Sequence, residues 1–228
     1  MKAFIFDMDG TILDTIDDIT LAVNYILKKY NMPERSVEEV KGFVGNGLYK
    51  TLVRSAPVNT SEELLSNIYE EMVSYYKEHS KIHTKPYDGI IDVIRELKDK
   101  GYKTAVVSNK RHEAVLKLCE EYYEGLFDEI MGDTDGIAKK PESDMIDIVL
   151  KKLDINKEDA IYIGDSDVDI MTAQNSGLDG IFVTWGFRTR DFLIEHGAKK
   201  IVDTPEDLLN MINVISDQAW QIRKHLKY

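Results

Sequence analysis

The residues Lys2 to Thr15 constrain this chain most. An apolar run, Ala3-Phe4-Ile5-Phe6, breaks into Asp7-Met8-Asp9-Gly10-Thr11 and then Ile12-Leu13-Asp14-Thr15. So short an aromatic run, bounded by Gly, predicts a strand buried inside a parallel sheet. In open α/β sheets ligands sit just beyond the carboxyl ends of such strands. Asp7 and Asp9 are two apart, so near-extended backbone points both carboxylates one way and Met8 the other. Two anions held that close repel, and a proton or a cation must relieve them. Mg2+, a hard cation with oxygen ligands, suits the task. Gly10 permits a sharp turn, and Thr11 offers a hydroxyl and an amide to a bound anion. Taken alone, the motif also fits a strand that ends in a solvated acidic turn.

The rest of the chain decides between these readings. After Pro86-Tyr87-Asp88-Gly89, helical and strand patterns alternate. Ile90 to Lys100 is amphipathic and ends at Gly101. Strands are predicted at Lys103–Ser108, Asp128–Met131, Ala160–Ile163 and Gly180–Val183, with an edge strand at Lys200–Val202. Helices are predicted from Arg111, over 143–153, over 167–176 and over 205–226. This alternation predicts an α/β fold, a doubly wound parallel sheet of Rossmann-like type.

Residues 16–82 differ. Ile16, Ile19, Val23, Ile26 and Leu27 recur at helical spacing, Ser36-x-x-Glu39 is a capping box, and Leu48 to Ala56 is helical. Gly42 to Gly47 reads as a turn, and Ser61 opens a long helix through Tyr76. No strand pattern interrupts them. The expected organisation is a discontinuous core, 1–15 and 83–228, with an inserted α-helical cap at 16–82.

Composition excludes some partners. The net charge is −12, which argues against nucleic acid, because binding a phosphate backbone needs clustered Lys and Arg. An anionic substrate must therefore be drawn in by a local positive site. Cys119 is the single cysteine, so no intramolecular disulfide or cysteine metal cluster forms. No apolar run approaches membrane-spanning length, and a cleavable signal would remove Asp7 with the first strand. The expectation is a cytoplasmic protein, monomer or homodimer, with no membrane partner.

Two further predicted strands carry chemistry at their ends. Lys103–Val107 runs into Ser108-Asn109-Lys110, and Ala160–Ile163 into Gly164-Asp165-Ser166-Asp167-Val168-Asp169. Lys139-Lys140-Pro141 lies between them. If these strands neighbour the first, a hydroxyl, amides, a lysine and several carboxylates share one cleft. Such a set suits a phosphoryl group held by Mg2+, Lys and backbone amides.

With these four motifs in this order, the sequence resembles the haloacid dehalogenase superfamily, in the branch with a helical cap. Phe43-Val44-Gly45-Asn46-Gly47, Lys85-Pro86-Tyr87 and Thr184-Trp185-Gly186-Phe187-Arg188 look closest to phosphoglycolate phosphatases. Ser143, where relatives often carry proline, and Ser108, where they often carry Thr, depart from that pattern. The resemblance implies Asp7 as nucleophile and Asp9 as general acid and base. It implies Mg2+ held by Asp7, the Asp9 backbone carbonyl and Asp165. Ser108 and Asn109 would bind the phosphoryl oxygens, Lys140 would neutralise charge, and Asp169 would orient Lys140 or a metal-bound water. Asp167 reads as a helix N-terminal acid and Ser166 as a cap.

In the cap, the amides of Gly45-Asn46-Gly47 suit an anion at a helix N-terminus or form a plain turn. Lys50 and Arg54 share a helix face that meets substrate or solvent. The implied reaction is Mg2+-dependent hydrolysis of a small phosphorylated metabolite through an aspartyl-phosphate, 2-phosphoglycolate first. Inorganic pyrophosphate, nucleoside monophosphates and sugar phosphates, with a phosphoglucomutase reaction, are the alternatives. A non-catalytic regulator on the same fold is the remote one.

Overall fold

A computed structural model describes residues 2–225, with side chains to residue 216. The opening apolar run forms strand β1 (Ala3–Phe6), buried at every residue. Successive strand side chains point to opposite faces. Phe4 and Phe6 accordingly join one apolar cluster, and Ala3 and Ile5 another. A strand buried on both faces needs a helical layer above and below it.

The two-residue strand β2 (Leu13–Asp14) comes next. Helices α1 (Ile16–Lys29), α2 (Val37–Phe43), α3 (Leu48–Ser55) and α4 (Glu62–His79) follow. A short strand, β3 (Lys85–Pro86), pairs antiparallel with β2. Then come α5 (Ile90–Asp99), β4 (Lys103–Arg111), α6 (His112–Tyr123), β5 (Glu129–Asp133) and α7 (Asp144–Leu153). After them lie β6 (Ala160–Gly164), α8 (Asp167–Ser176), β7 (Asp179–Val183), α9 (Arg190–Glu195), β8 (Ile201–Val202) and α10 (Pro205–His225).

The main sheet has the order β5-β4-β1-β6-β7-β8, with every pairing parallel. The chain builds outward from β1 through β4 to β5, then crosses to β6 on the other side. Strand order reverses there, and a crevice opens beyond the carboxyl end of β1. On one face Ile94 and Leu97 of α5, Leu118 of α6 and Leu208 and Ile212 of α10 cover Phe4 and Phe6. On the other, Ile146 and Val149 of α7 and Ile170 and Ala173 of α8 cover Ile5. Each of these Leu, Ile, Val and Phe side chains contributes about 1.5–3 kcal/mol by leaving water. Cys119 is buried among them.

Helices α1 to α4 have an apolar cluster of their own, with Val23, Ile26, Leu52, Ile68 and Met72 at its centre. The Ser36/Glu39 capping box forms at α2, and Ser61 caps α4. Asp18 of α1 accepts from the amides of His83 and Thr84 and from Thr84 Oγ1, tying the start of this layer to its end.

The fold departs from the sequence pattern at four places. Gly42 is helical, because the buried Val40 and Val44 carry α2 past it and the Val44 amide closes on Val40 O at 3.2 Å. Strand β4 runs past its expected end at Ser108, with an irregular register after Val107, so Asn109 to Arg111 lie on the strand and the next helix starts at His112. The β2–β3 ribbon was not predicted, since two residues show no periodicity. Helix α9 was not predicted either; Thr189 caps it by accepting from the Phe192 amide, and Leu193 buries it. The expected end of the last helix at residue 226 lies outside the described residues. No helix among the described residues is long and apolar enough to cross a membrane.

Candidate active site

Three strand ends meet at the crevice. Asp7 and Asp9 follow β1, Ser108 to Lys110 close β4, and Asp165 follows β6. The Asp7 amide donates to Ile163 O at 2.8 Å, so the sheet itself fixes where Asp7 stands. Met8 turns into the core, while Asp7 and Asp9 both line a cavity of about 650 Å³. The turn beyond them is tight: the amides of Thr11, Ile12 and Leu13 all close on Met8 O.

Lys140 arrives on the connection from β5 to α7. Its Nζ lies 2.7 Å from Asp7 Oδ1 and 2.9 Å from Asp169 Oδ1, and it donates to Tyr162 Oη at 2.9 Å. Burial works against the ammonium, but the charges of Asp169 and Asp7 outweigh it and raise the Lys140 pKa. Asp169 is completely buried. Its Oδ1 accepts from Tyr162 Oη at 2.8 Å, and its Oδ2 from the Asp165 and Ser166 amides and from Ser166 Oγ. Ser166 and Asp169 thereby form a capping box at α8.

Asp165 accepts from Thr11 Oγ1 at 3.1 Å and from the Phe187 amide at 2.7 Å. Thr11 therefore corrects the expectation set for it. Its amide and its hydroxyl both bond within the protein, it is fully buried, and it braces Asp165 instead of facing an anion. Asp167 pairs with Arg188 at 3.3 Å on the first turn of α8.

The carboxylates Asp7, Asp165 and Asp169 bring ligand atoms within 4.8 Å of one another. Three buried carboxyl groups share one lysine, and their joint ionisation leaves negative charge that Lys140 alone does not balance. Burial first, then the charge of Asp169, raises Asp7 to about 7, and burial raises Asp165 well above the usual carboxylate range. The surplus negative charge suits a divalent cation. Asp169 already accepts five hydrogen bonds, whereas Asp7 and Asp165 line the cavity. The donor set fits a metal ion bound by carboxylates of that pair.

Ser108 and Asn109 also line the cavity. Both hydrogens of the Asn109 amide are used, on Gly45 O at 3.0 Å and Lys140 O at 2.9 Å. Arg188 holds the same loop by donating to Lys41 O and Val44 O. Gly45, Asn46, Gly47 and Lys50 line the cavity from the helical side. Gly47, at φ +85°, starts α3 where a Cβ would sit 3.2 Å from Asn109 O. Arg54 is engaged by Phe43 O and Asn46 Oδ1, whereas Lys50 is exposed, with no ion pair among the described residues. Trp185 Nε1 anchors its loop to Thr11 O at 3.0 Å.

Sequence reasoning gave no role to Lys110, Tyr76, Tyr162 or Arg188. Lys110 Nζ lies 2.8 Å from Asp9 Oδ1 and donates to Tyr76 Oη at 2.9 Å. Its position directly after Ser108-Asn109 was the available signal. Tyr76 and Tyr162 read only as helix and strand packing.

The architecture and the site together define an α/β enzyme with a buried carboxylate–lysine centre at the switch point of its sheet. The chain belongs to the haloacid dehalogenase-like hydrolase family, which it matches over residues 4–183. Phosphoglycolate phosphatase 1 of Pseudomonas aeruginosa is 31% identical over 231 residues, covering 97% of this chain and 82% of that one. Pyrophosphatase PpaX of Bacillus mycoides is 27% identical over 223 residues, covering 95% and 99%. A crystal structure from Lactobacillus delbrueckii subsp. bulgaricus superposes with a TM-score of 0.88 at 41% identity, covering 93% and 99%.

Proposed function

We propose that this phosphatase hydrolyses a small phosphomonoester through an aspartyl-phosphate, with Mg2+ as cofactor and 2-phosphoglycolate as substrate. The observation that carries the chemistry is the buried Asp7–Lys140 pair, 2.7 Å apart, at the end of the central strand. A carboxylate fixed beside an ammonium is oriented for attack, and the ammonium is placed to neutralise an incoming phosphoryl group.

In the first half, an Asp7 oxygen attacks phosphorus, the bond to the ester oxygen breaks, and Asp9 gives that oxygen a proton. In the second, water attacks the phosphorus of the aspartyl-phosphate, its proton passes to Asp9, and inorganic phosphate leaves with Asp7 restored. Ser108 and the Asn109 backbone would bind phosphoryl oxygens. Asp169 and Tyr162 keep Lys140 in place. Asp7, Asp165 and the Asp9 carbonyl would hold Mg2+, which supplies positive charge against the carboxylates and the phosphoryl group. Helices α1 to α4 serve as a cap, residues 16–82, over a core of 1–15 and 83–228, and exclude water during the transfer.

The likeness to phosphoglycolate phosphatase 1 supports the substrate, and the likeness to a pyrophosphatase supports inorganic pyrophosphate as the second reading. The test is kcat/KM for 2-phosphoglycolate, pyrophosphate, a nucleoside monophosphate and a sugar phosphate, each with Mg2+ and with EDTA. Phosphoglycolate should rank first and EDTA should abolish turnover. A higher value for any other ester overturns the substrate, and EDTA-resistant turnover overturns the cofactor. Asp7→Asn should remain folded and lose turnover by roughly a thousandfold or more.

A further inference from the structure

The two catalytic aspartates have separate partners. Asp7 is held by Lys140, which the core alone supplies. Asp9 is held by Lys110, whose side chain is 8% exposed. Lys110 Nζ lies 2.8 Å from Asp9 Oδ1, 3.1 Å from Asp9 Oδ2 and 2.9 Å from Tyr76 Oη. An ammonium has three hydrogens, and these contacts use all of them. The clamp on both oxygens fixes the plane of the Asp9 carboxylate.

Tyr76 belongs to α4 and packs in the apolar cluster of the helical layer with Ile68 and Met72. Lys110 belongs to the sheet. The chain Tyr76–Lys110–Asp9 therefore joins the helical layer to the one carboxylate that the proposed mechanism uses to move protons. Asp7 pairs with Lys140, whose ammonium is held by Asp169 and Tyr162, both outside that layer; the layer reaches Lys140 only at its backbone carbonyl, through Asn109 and Gly45 O.

We propose that Lys110 and Tyr76 are positioning residues for Asp9, so that proton transfer to the leaving oxygen depends on the seating of the helical layer. The inference rests on the role assigned to Asp9 above. To protonate the leaving oxygen, Asp9 carries its proton on one oxygen while Lys110 stays on the other. Displacement of a reacting group by even 1 Å can cost about a hundredfold in rate, so an Asp9 side chain freed from Lys110 transfers that proton poorly.

The distinguishing measurement is sensitivity to the leaving group. An alkyl phosphate needs its leaving oxygen protonated, whereas 4-nitrophenolate departs without help. Lys110→Met keeps the stem and removes the charge. It should lower kcat/KM for an alkyl phosphate about tenfold to a hundredfold and for 4-nitrophenyl phosphate less than about threefold. Tyr76→Phe keeps the ring and removes one hydroxyl; the same pattern should appear at about threefold to tenfold. Thermal unfolding checks that each variant is folded, and if Lys110→Met is not, Tyr76→Phe decides alone. Equal losses on both substrates, or no loss on either, overturn the inference while leaving the hydrolase reading intact. Wild-type protein inactive on both esters overturns that reading and the inference together.

Discussion

Gly10 and Asp165 leave no space for a side chain between them. A Cβ at Gly10 would stand 2.7 Å from Asp165 Cγ, and Gly10 sits at φ +86°. The sharp turn after β1 is thus packed directly against a carboxylate of the candidate metal site. Gly10→Ala should carry backbone strain of about 1–3 kcal/mol and push Asp165 aside. The expected result is a lower melting temperature together with a weaker dependence of that temperature on Mg2+. A variant that melts lower yet responds to Mg2+ as the wild type does would show that Asp165 is not a ligand.

The buried carboxylates set a pH dependence that reverses the usual one. Asp7 is raised from 3.8 to about 7, by burial first and then by the charge of Asp169, and Asp165 is raised by the same causes. A carboxyl with a folded pKa above its unfolded value binds its proton more tightly when folded. Its stabilisation is complete below the unfolded value and is lost as pH rises through the folded one. Metal-free protein should therefore lose stability from Asp7 between about pH 4 and 7, and Asp165 adds a loss in the same direction as pH rises. Asp169 runs the other way: burial raises it, but Lys140, Ser166 and Tyr162 outweigh burial and lower it. Its contribution is present above the unfolded value and is lost in acid. Saturating Mg2+ should flatten the slope between pH 4 and 7, since the cation binds the ionised folded form. Melting curves across that range, with and without Mg2+, provide the check, and identical slopes would remove the metal assignment.

Asp165 and Asp167 are neighbours on the same turn with different surroundings. Asp165 is buried beside Asp7, whereas Asp167 pairs with Arg188 and is partly exposed. Asp165→Ala should raise the Mg2+ concentration needed for half-maximal activity by about tenfold or more, while Asp167→Ala should change it little. The opposite ranking in a Mg2+ titration of both variants would mean that the ligand has been misassigned.

The strand ends were legible because burial and turning leave a clear local signature. Ala3 to Phe6 cannot be a surface strand, and Gly10 cannot belong to a regular one. The capping boxes at Ser36 and Ser166 are likewise local patterns that the chain obeys. What stayed hidden is pairing over distance. Thr11 looked like an anion ligand until its hydroxyl was seen on Asp165, 154 positions away. Lys110 carried no role in the sequence until the strand placed it on Asp9, and Tyr76 read as helix packing. Arg188 gave no hint that it grips carbonyls at Lys41 and Val44. Such contacts depend on the sheet order, which no short window of sequence contains.

Lys50 offers the sharpest test of substrate choice. It and Arg54 lie one turn apart on α3, and the structure separates them. Arg54 is held by Phe43 O and Asn46 Oδ1, so its guanidinium serves the loop. Lys50 lines the cavity with no ion pair among the described residues, in a chain of net charge −12. If the substrate carries a carboxylate beyond its phosphate, Lys50 is a cation available to meet it, and Lys77 of α4 lines the same cavity. Lys50→Ala should then lower kcat/KM for 2-phosphoglycolate by about 1.5–3 kcal/mol, roughly tenfold to a hundredfold. Hydrolysis of 4-nitrophenyl phosphate, which has no such carboxylate, should change little. Assaying one variant on both esters separates the possibilities. Equal losses would mean that Lys50 supports the helical layer generally. No loss on either would place it in solvent and leave a distal carboxylate to the amides of Gly45-Asn46-Gly47.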